Sequence, residues 1–341
     1  GVFSTTSGTS WGPKISELPN DATYGGNTDN EYTQKFGKQQ GKYYVPQRAA
    51  AGLDPWATPQ AYDNAKDFFD TGITWSNSLN VAQMLDKSSY SISLGNTHQD
   101  GIISSTGMDR YNVKVSADTK LTNNWSSGFT ANYITTSIDK AVTSGNGLLR
   151  TVYAAPPSYD LAGIPSHVDG NPYTQNSFRG SFDNAYWAMD NNKFTEDTNR
   201  FFGNVYASYQ TDFGTTNHKL NAKYMVGVDA YTTHYVDSYG YGSNTGGGRG
   251  QIENYGWTNA TYNSLLTINY DWRINEDWGL NAVLGNEIIQ SNRKKYYEYG
   301  TNYNFPGWNH INNATTQQTE EETWKNRTVG FFGNVSASYK N

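Results

Sequence analysis

Apolar and polar side chains alternate through residues 260–288, ATYNSLLTINYDWRINEDWGLNAVLGNEI. The apolar series is Ala260, Tyr262, Leu266, Ile268, Tyr270 and Trp272, followed after a short polar turn by Trp278, Leu280, Ala282, Leu284 and Ile288. The positions between them carry mainly Thr, Asn, Asp, Gly and Glu. A period of two is typical of a β-strand with one apolar and one polar face, so this stretch predicts a β-hairpin.

The same alternation recurs along the chain and predicts about nine strands. They are expected to begin near Ile73, Ser89, Asp109, Asn124, Arg200, His218, Trp257, Trp278 and Trp324. Short turns near 86–87, 122–123, 212–214 and 275–276 alternate with long connectors at 98–108, 138–198, 233–256 and 292–323. Outer-membrane barrels have this asymmetry, with short periplasmic turns and long extracellular loops. We therefore predict an all-β, transmembrane antiparallel up-and-down β-barrel in residues 71–341, with residues 1–70 forming an extracellular loop region.

Two tryptophans bear on the choice between a barrel and a soluble fold. Trp125 and Trp278 each follow a short turn directly, where an aromatic girdle at the inner membrane interface would lie. Periodicity alone also permits a β-sandwich with both tryptophans in its core. A secreted or surface β-sandwich glycan-binding protein or adhesin therefore stays open as the alternative, with a soluble β-rich glycan hydrolase behind it.

Composition narrows the classes of protein and of chemistry. The chain is 35% hydrophobic, 15% aromatic and only 16% charged, which argues against disorder. The absence of cysteine excludes disulfides and thiolate metal sites, and the net charge of −6 disfavours nucleic-acid binding. The five histidines lack metal-ligand spacing, and Gly246–Gly250 lacks the Lys-Ser/Thr of a phosphate loop. We predict that the protein is not an enzyme and carries no cofactor or metal.

The end of the sequence bears on completeness. Asn341 stops the chain inside an alternating strand. In lipid every backbone polar group must be paired, so an open sheet cannot stand alone. We expect the sequence to be incomplete, with further strands on both sides.

Several stretches, taken in order, resemble the SusC family of TonB-linked outer-membrane transporters. They are Ser10-Trp11-Gly12-Pro13-Lys14, Phe68-Phe69-Asp70-Thr71-Gly72, Asn77-Ser78-Leu79-Asn80, Ser91-Ile92-Ser93-Leu94-Gly95, Gly101-Ile102-Ile103, Gly107-Met108-Asp109-Arg110-Tyr111-Asn112, Asn171-Pro172-Tyr173, Asp197-Thr198-Asn199-Arg200-Phe201 and Val226-Gly227-Val228-Asp229. The resemblance implies a 22-stranded barrel with an N-terminal plug, whose plug, TonB box and remaining strands lie outside this sequence. It also implies a SusD-like surface lipoprotein that acts as a lid, and import driven by TonB. The implied solute is an oligosaccharide or, less commonly, a peptide, and a dimer of transporter–lipoprotein pairs is allowed.

Aromatic residues in the long connectors are the candidates for solute binding. They are Tyr173 and Trp187 in 138–198, Tyr241 in 233–256, and Tyr297 and Trp308 in 292–323. Sugars present C–H faces that stack on aromatic rings, while Asn, Asp and Arg bind hydroxyl groups. The equally good alternative is that these rings pack the loops on one another or on the lipoprotein. Residues 1–70 are expected to face that partner.

Overall fold

A computed structural model describes residues 14–142, 147–178 and 180–340 of the chain. Its strands are β1 (Tyr43–Tyr44), β2 (Trp56–Ala57), β3 (Thr74–Met84), β4 (Ser88–Asp100), β5 (Gly107–Lys120), β6 (Trp125–Lys140), β7 (His167–Val168), β8 (Asn171–Gln175), β9 (Lys193–Thr211), β10 (His218–Tyr239), β11 (Gln251–Arg273), β12 (Trp278–Tyr303) and β13 (Ala314–Tyr339). Within the described ranges, nine of these form one antiparallel sheet in the order β3-β4-β5-β6-β9-β10-β11-β12-β13. The sheet is therefore a meander, in which each strand pairs with the next long strand along the chain.

The register is continuous along each ladder of this sheet. In the hairpin of β11 and β12 the pairing runs from Gln251 opposite Thr301 to Arg273 opposite Gly279. A shift of one residue would move every side chain to the other face. The unbroken register therefore preserves the two faces that the sequence alternation predicts.

Several strands are longer than the sequence pattern indicates. Strands β9, β11 and β13 begin at Lys193, Gln251 and Ala314, well before the predicted starts. The connectors are correspondingly shorter, at 101–106, 141–192, 240–250 and 304–313. Connectors 101–106 and 212–217 have the same length, six residues each, so the strict alternation of short and long connectors fails there. The alternation of apolar and polar residues ends in the parts of the strands that lie far from the short turns, because polar and aromatic residues occupy both faces there. Backbone pairing continues through these parts.

One face of the sheet is apolar and exposed. This apolar face carries Val113, Tyr133, Phe201, Val205, Val226, Leu266 and Leu284, all at least 37% exposed. A β-sandwich would bury such residues between two layers. Leu266 is 37% and Leu284 is 61% exposed, and Ile268 is half-buried. The sandwich alternative is therefore wrong for the described part of the chain.

The two turn-proximal tryptophans lie on the apolar face. The ring of Trp125 lies 5.0 Å from that of Tyr209 on β9, and the ring of Trp278 lies 4.8 Å from that of Tyr339 on β13. Both tryptophans are about half exposed, so neither is a core residue. The pairs lie on two strand ladders at the end of the sheet that bears the short turns.

Short helices gather at the other end of the sheet. They are α1 (Glu31–Phe36), α2 (Pro46–Ala50), α3 (Asn64–Phe68), α4 (Leu148–Ala154) and α5 (Ala185–Asn191), together with 3-10 turns at Ile15–Asn20 and Ile311–Asn313. Local capping explains where they begin. Asn30 and Thr33 form a reciprocal capping box on α1, Pro46 occupies the first turn of α2, and the Asn184 side chain accepts two backbone N–H bonds at the start of α5.

Residues 14–70 and the described parts of 147–192 pack together into one unit, here named the cap. Its core is Leu18, Tyr43, Val45, Phe68, Leu148, Val152, Ala155, Tyr159, Leu161, Ile164, Phe178, Ala185, Trp187 and Ala188, joined by Ile103. Tyr43 donates its hydroxyl to the carbonyl of Ser158 at 2.7 Å, and Asn64 accepts from the backbone N–H of Leu161 at 3.1 Å. The first segment and the longest connector therefore share one hydrophobic core. None of the helices in the described ranges has both the length and the apolar character needed to cross a membrane.

Candidate functional site

The face opposite the apolar one is polar, and its side chains bond to each other across the strands. The Arg200 guanidinium donates to both carboxylate oxygens of Asp229 at 2.8 and 2.6 Å. Asn281 donates to Asp271 at 2.6 Å, and the hydroxyls of Ser91 and Ser116 lie 2.8 Å apart. This polar face, defined by these side chains and those in phase with them, suits contact with water and polar solutes.

Three tyrosines cross the polar face in one row near the cap. Tyr235, Tyr255 and Tyr297 lie directly opposite one another on β10, β11 and β12. The first two rings are parallel within 8° with centroids 4.8 Å apart, and the second and third are 6.4 Å apart. Directly opposed residues on an antiparallel pair bring their side chains into contact, so the sheet register itself builds this tyrosine ladder.

Charged groups flank the tyrosine ladder. Lys140 lies 4.7 Å above the ring of Tyr235 and 3.4 Å from the Glu196 carboxylate. Asp237 accepts a hydrogen bond from the Tyr255 hydroxyl at 3.0 Å. Glu253 interacts with Tyr297. Glu320 lies directly opposite Tyr297 on β13, and Lys295 lies two residues before Tyr297 on the same face of β12. Carboxylates therefore outnumber cations around the ladder.

A cavity of about 350 Å³ opens beside the ladder. Its charged lining residues are Lys140, Asp237 and Glu253, and Phe194 and Tyr239 add aromatic surface. A second cavity of about 370 Å³ continues beneath α5 of the cap and shares Lys140, Phe194 and Tyr239 with the first. Together they form a polar and aromatic recess between the cap and the polar face.

The sequence-predicted binding residues do not form one cluster. Tyr173 and Tyr241 line the same cavity of about 600 Å³, beside the cap. Trp308 stacks with Phe305 and His310 in the connector 304–313 and is 44% exposed. The structure therefore brings Tyr173 and Tyr241 together and leaves Trp308 in a separate stack.

The predictions for two of those residues need correction. Trp187 is only 1% exposed, and its indole N–H donates to the carbonyl of Pro172 at 2.9 Å. Its large apolar ring fills the cap core, so it has no surface for a solute. Tyr297 does not lie in a loop, because β12 extends to Tyr303 and places it in the tyrosine ladder.

The residues that surround Tyr297 in space do not stand out in the sequence pattern. Tyr235, Asp237, Glu253 and Tyr255 fall inside the stretch predicted as a loop. A signal for them exists, because Tyr231, Tyr235 and Tyr239 follow Asp229 in phase with the polar face. Locating the turn of that hairpin at 240–250 would have paired Tyr235 with Tyr255.

The cap contributes tyrosines whose ionisation is shifted. Burial raises the pKa of Tyr43 to about 12, with a smaller contribution from the neighbouring Tyr62. Burial also raises the pKa of Tyr159, and Asp160 adds to that shift. The described residues include no group of three or more His, Asp or Glu side chains placed to hold a metal ion.

The arrangement of sheet and cap defines a class of fold, namely a wall of long antiparallel strands that is apolar on one face and capped at one end. No protein-family model matches the chain, and no curated protein does. Solved structures do share the fold. The RagAB peptide importer in its closed-closed state superposes with a TM-score of 0.65 at 16% identity, over 82% of this chain and 32% of that one.

Two further structures of the same system agree. The RagAB peptide transporter gives a TM-score of 0.65 at 15% identity, over 82% of this chain and 32% of that one. The importer in its open-open state gives 0.63 at 15% identity, with 82% and 31% covered. The chain thus spans about a third of the length of the chains that it matches, and the likeness establishes its fold.

Proposed function

We propose that this chain is part of the barrel wall of a TonB-dependent importer in a bacterial outer membrane, of the SusC type. The observation that carries the proposal is the exposed apolar face of the long-stranded sheet, backed by a hydrogen-bonded polar face. An apolar surface of this extent is not left in water by a soluble monomer. Facing lipid, it needs no second layer, and the polar face then lines a wet passage.

The lengths of the strands support an extracellular position for the cap. Strand β12 has 26 residues, which corresponds to roughly 85 Å of strand at the usual rise. The apolar band of an outer-membrane barrel is only about 25 Å tall. The upper strands, the tyrosine ladder and the cap therefore project beyond the membrane, where a solute from outside would meet them first.

The solute that this geometry suits is bulky and polar, either an oligosaccharide or a peptide. The fold shared with the RagAB peptide importer favours a peptide. The proposed partners are a SusD-like surface lipoprotein seated on the cap, and TonB acting through parts outside this sequence. Residues 1–70 belong to the extracellular region, residues 71–341 supply barrel strands and loops, and pairs of transporter and lipoprotein associate as a dimer.

Cysteine accessibility tests the orientation of the wall. The chain contains no cysteine, so single substitutions can be compared without background from this segment. Val205→Cys and Asn204→Cys are adjacent on β9 but lie on the apolar and polar faces. In native membranes that hold the full-length protein, a water-soluble maleimide should label Asn204→Cys and spare Val205→Cys. Equal labelling of both, or recovery of the folded protein from a soluble extract, would contradict the proposal.

Transport is tested separately in cells. Deletion of the gene should abolish uptake of dye-labelled short peptides or oligosaccharides that exceed the size of general porins. Restoring the gene should restore uptake, and removing the proton-motive force should stop it.

A further inference from the structure

The recess beside the tyrosine ladder has an electrostatic character that selects among solutes. Lys140 is 3.4 Å from Glu196, which leaves Asp237 and Glu253 as the other charged groups of the cavity. No described residue forms a salt bridge with Asp237 or Glu253. Their contacts are with tyrosines: Asp237 accepts from Tyr255, and Glu253 interacts with Tyr297. The recess therefore has an excess of negative charge.

One ring of the ladder already has a cation over its face, which is a lysine of the protein itself. The Lys140 ammonium group lies 4.7 Å above the Tyr235 ring while its charge is matched by Glu196. An ammonium or guanidinium over an aromatic face is stabilised by the ring quadrupole, more so away from water. Tyr255 and Tyr297 repeat the same combination of ring and carboxylate one and two strands further along, with Asp237 and Glu253 in place of Glu196.

The size of the space is suitable for part of a peptide. A volume of about 350 Å³ lies at the lower end of ligand sites, and the cavity of about 370 Å³ next to it extends the space beneath the cap. A long basic side chain can lay its apolar stem on the rings and place its charged head at the carboxylates. Neutral oligosaccharides would stack on the rings but leave both carboxylates without a cation.

We propose that Tyr255 and Tyr297 with Asp237 and Glu253 form a subsite for the guanidinium or ammonium group of a short basic peptide. The subsite rests on the proposed import function and names the solute class within it. It discriminates against neutral and acidic solutes because these leave the half-buried carboxylates without a cation when they occupy the recess.

The test uses the purified full-length protein in detergent and two dye-labelled peptides. Both are short Gly/Ser peptides, one with a central arginine and the other with citrulline, which keeps the shape and removes the charge. Fluorescence anisotropy should show the arginine peptide binding about tenfold more tightly at low salt. The double variant Asp237→Asn/Glu253→Gln should remove that preference.

Glu298→Gln supplies the matched control. Glu298 lies on the opposite face of β12, opposite Asn254, whose side-chain amide donates to it at 3.4 Å. This variant should keep the tenfold preference for arginine.

Equal affinity for the two peptides, or no binding of either by the unmodified protein, would overturn the subsite whatever the variants do. That failure would leave the maleimide pattern and the uptake result intact. Labelling of both faces in the membrane would instead remove the import function, so the two failures are distinguishable.

Discussion

Val205 on β9 and Val226 on β10 lie directly opposite each other in register, yet their side chains are 53% and 42% exposed. Cross-strand valine pairs in soluble sheets are usually covered by a second layer. Here the pair is continuous with Phe129 on the neighbouring strand β6, which is also exposed. The pair is therefore the place where contact with lipid can be tested most directly.

A charge placed on the apolar face should be costly, and the same charge one residue away should not. Val226→Lys puts an ammonium group into the proposed hydrocarbon region, with an expected loss of roughly 2–4 kcal/mol. Met225 points to the polar face, so Met225→Lys should change stability by less than about 1 kcal/mol. Urea unfolding of the full-length protein in lipid vesicles measures both. Similar costs for the two variants would argue that both faces have the same surroundings.

Gly285 should resist substitution because an aromatic ring covers it. A Cβ added there would meet the ring of Phe332, which lies directly opposite on β13. Gly285→Ala must displace that ring, so we expect a loss of about 1–3 kcal/mol and a lower temperature for the shift in gel mobility on heating.

Gly330 on β13 is the control for that substitution. A Cβ added there meets only the carbonyl oxygen of Glu287 at 3.9 Å. Gly330→Ala should therefore cost less than Gly285→Ala, and Gly285→Ala combined with Phe332→Leu should recover part of the loss. Equal costs for the two alanines would show that the ring does not hold the strand pair.

The alternation of side chains predicted most of the sheet, because apolar residues on the apolar face recur with a period of two. The positions of Tyr262, Leu266 and Trp272 predicted both the strand and its face. The same rule did not predict the parts of the strands near the cap. There, Tyr255 and Trp257 lie in phase with the polar face, and no series of apolar residues alternates with them. Polarity identifies a strand only where its two faces meet different solvents.

The solute-binding residues could not be predicted reliably from the sequence for a different reason. Aromatic content marked Tyr297 and Trp187 alike, although one lies in the tyrosine ladder on the sheet and the other is buried in the cap core. Burial depends on contacts between residues far apart in sequence, such as those joining Asn64 to Leu161. Composition cannot distinguish a ring that binds a solute from a ring that holds a loop in place.

Trp187 should matter for the cap and not for the sheet. Its side chain is buried among apolar residues, so Trp187→Ala should cost about 3–5 kcal/mol through lost burial and the cavity left behind. We expect faster proteolysis within 147–192 and unchanged heat-dependent mobility of the sheet. Tyr153→Ala is the control in the same segment, since Tyr153 is 59% exposed and should lose little. Equal protease sensitivity of the two variants would contradict the packing role.

The cap should lose stability at high pH because of Tyr43. Its pKa is raised by burial to about 12, whereas a tyrosine in the unfolded chain ionises near pH 10. The folded cap therefore retains a proton that the unfolded cap releases between those values. Stability should be constant below about pH 10 and fall as the pH rises toward 12, at up to about 1.4 kcal/mol per unit for this proton.

The variant Tyr43→Phe tests the direction of this pH dependence. At pH 8 the variant should be less stable by about 1–2 kcal/mol, because the carbonyl of Ser158 loses its partner. Above pH 10 the unmodified cap weakens through Tyr43 and the variant does not, so the difference should narrow and then reverse. Hydrogen exchange of the cap amides, corrected for their intrinsic rates, measures it across the range. A constant difference from pH 8 to pH 12 would mean that Tyr43 ionises equally in both states, and burial would then have no effect on its proton.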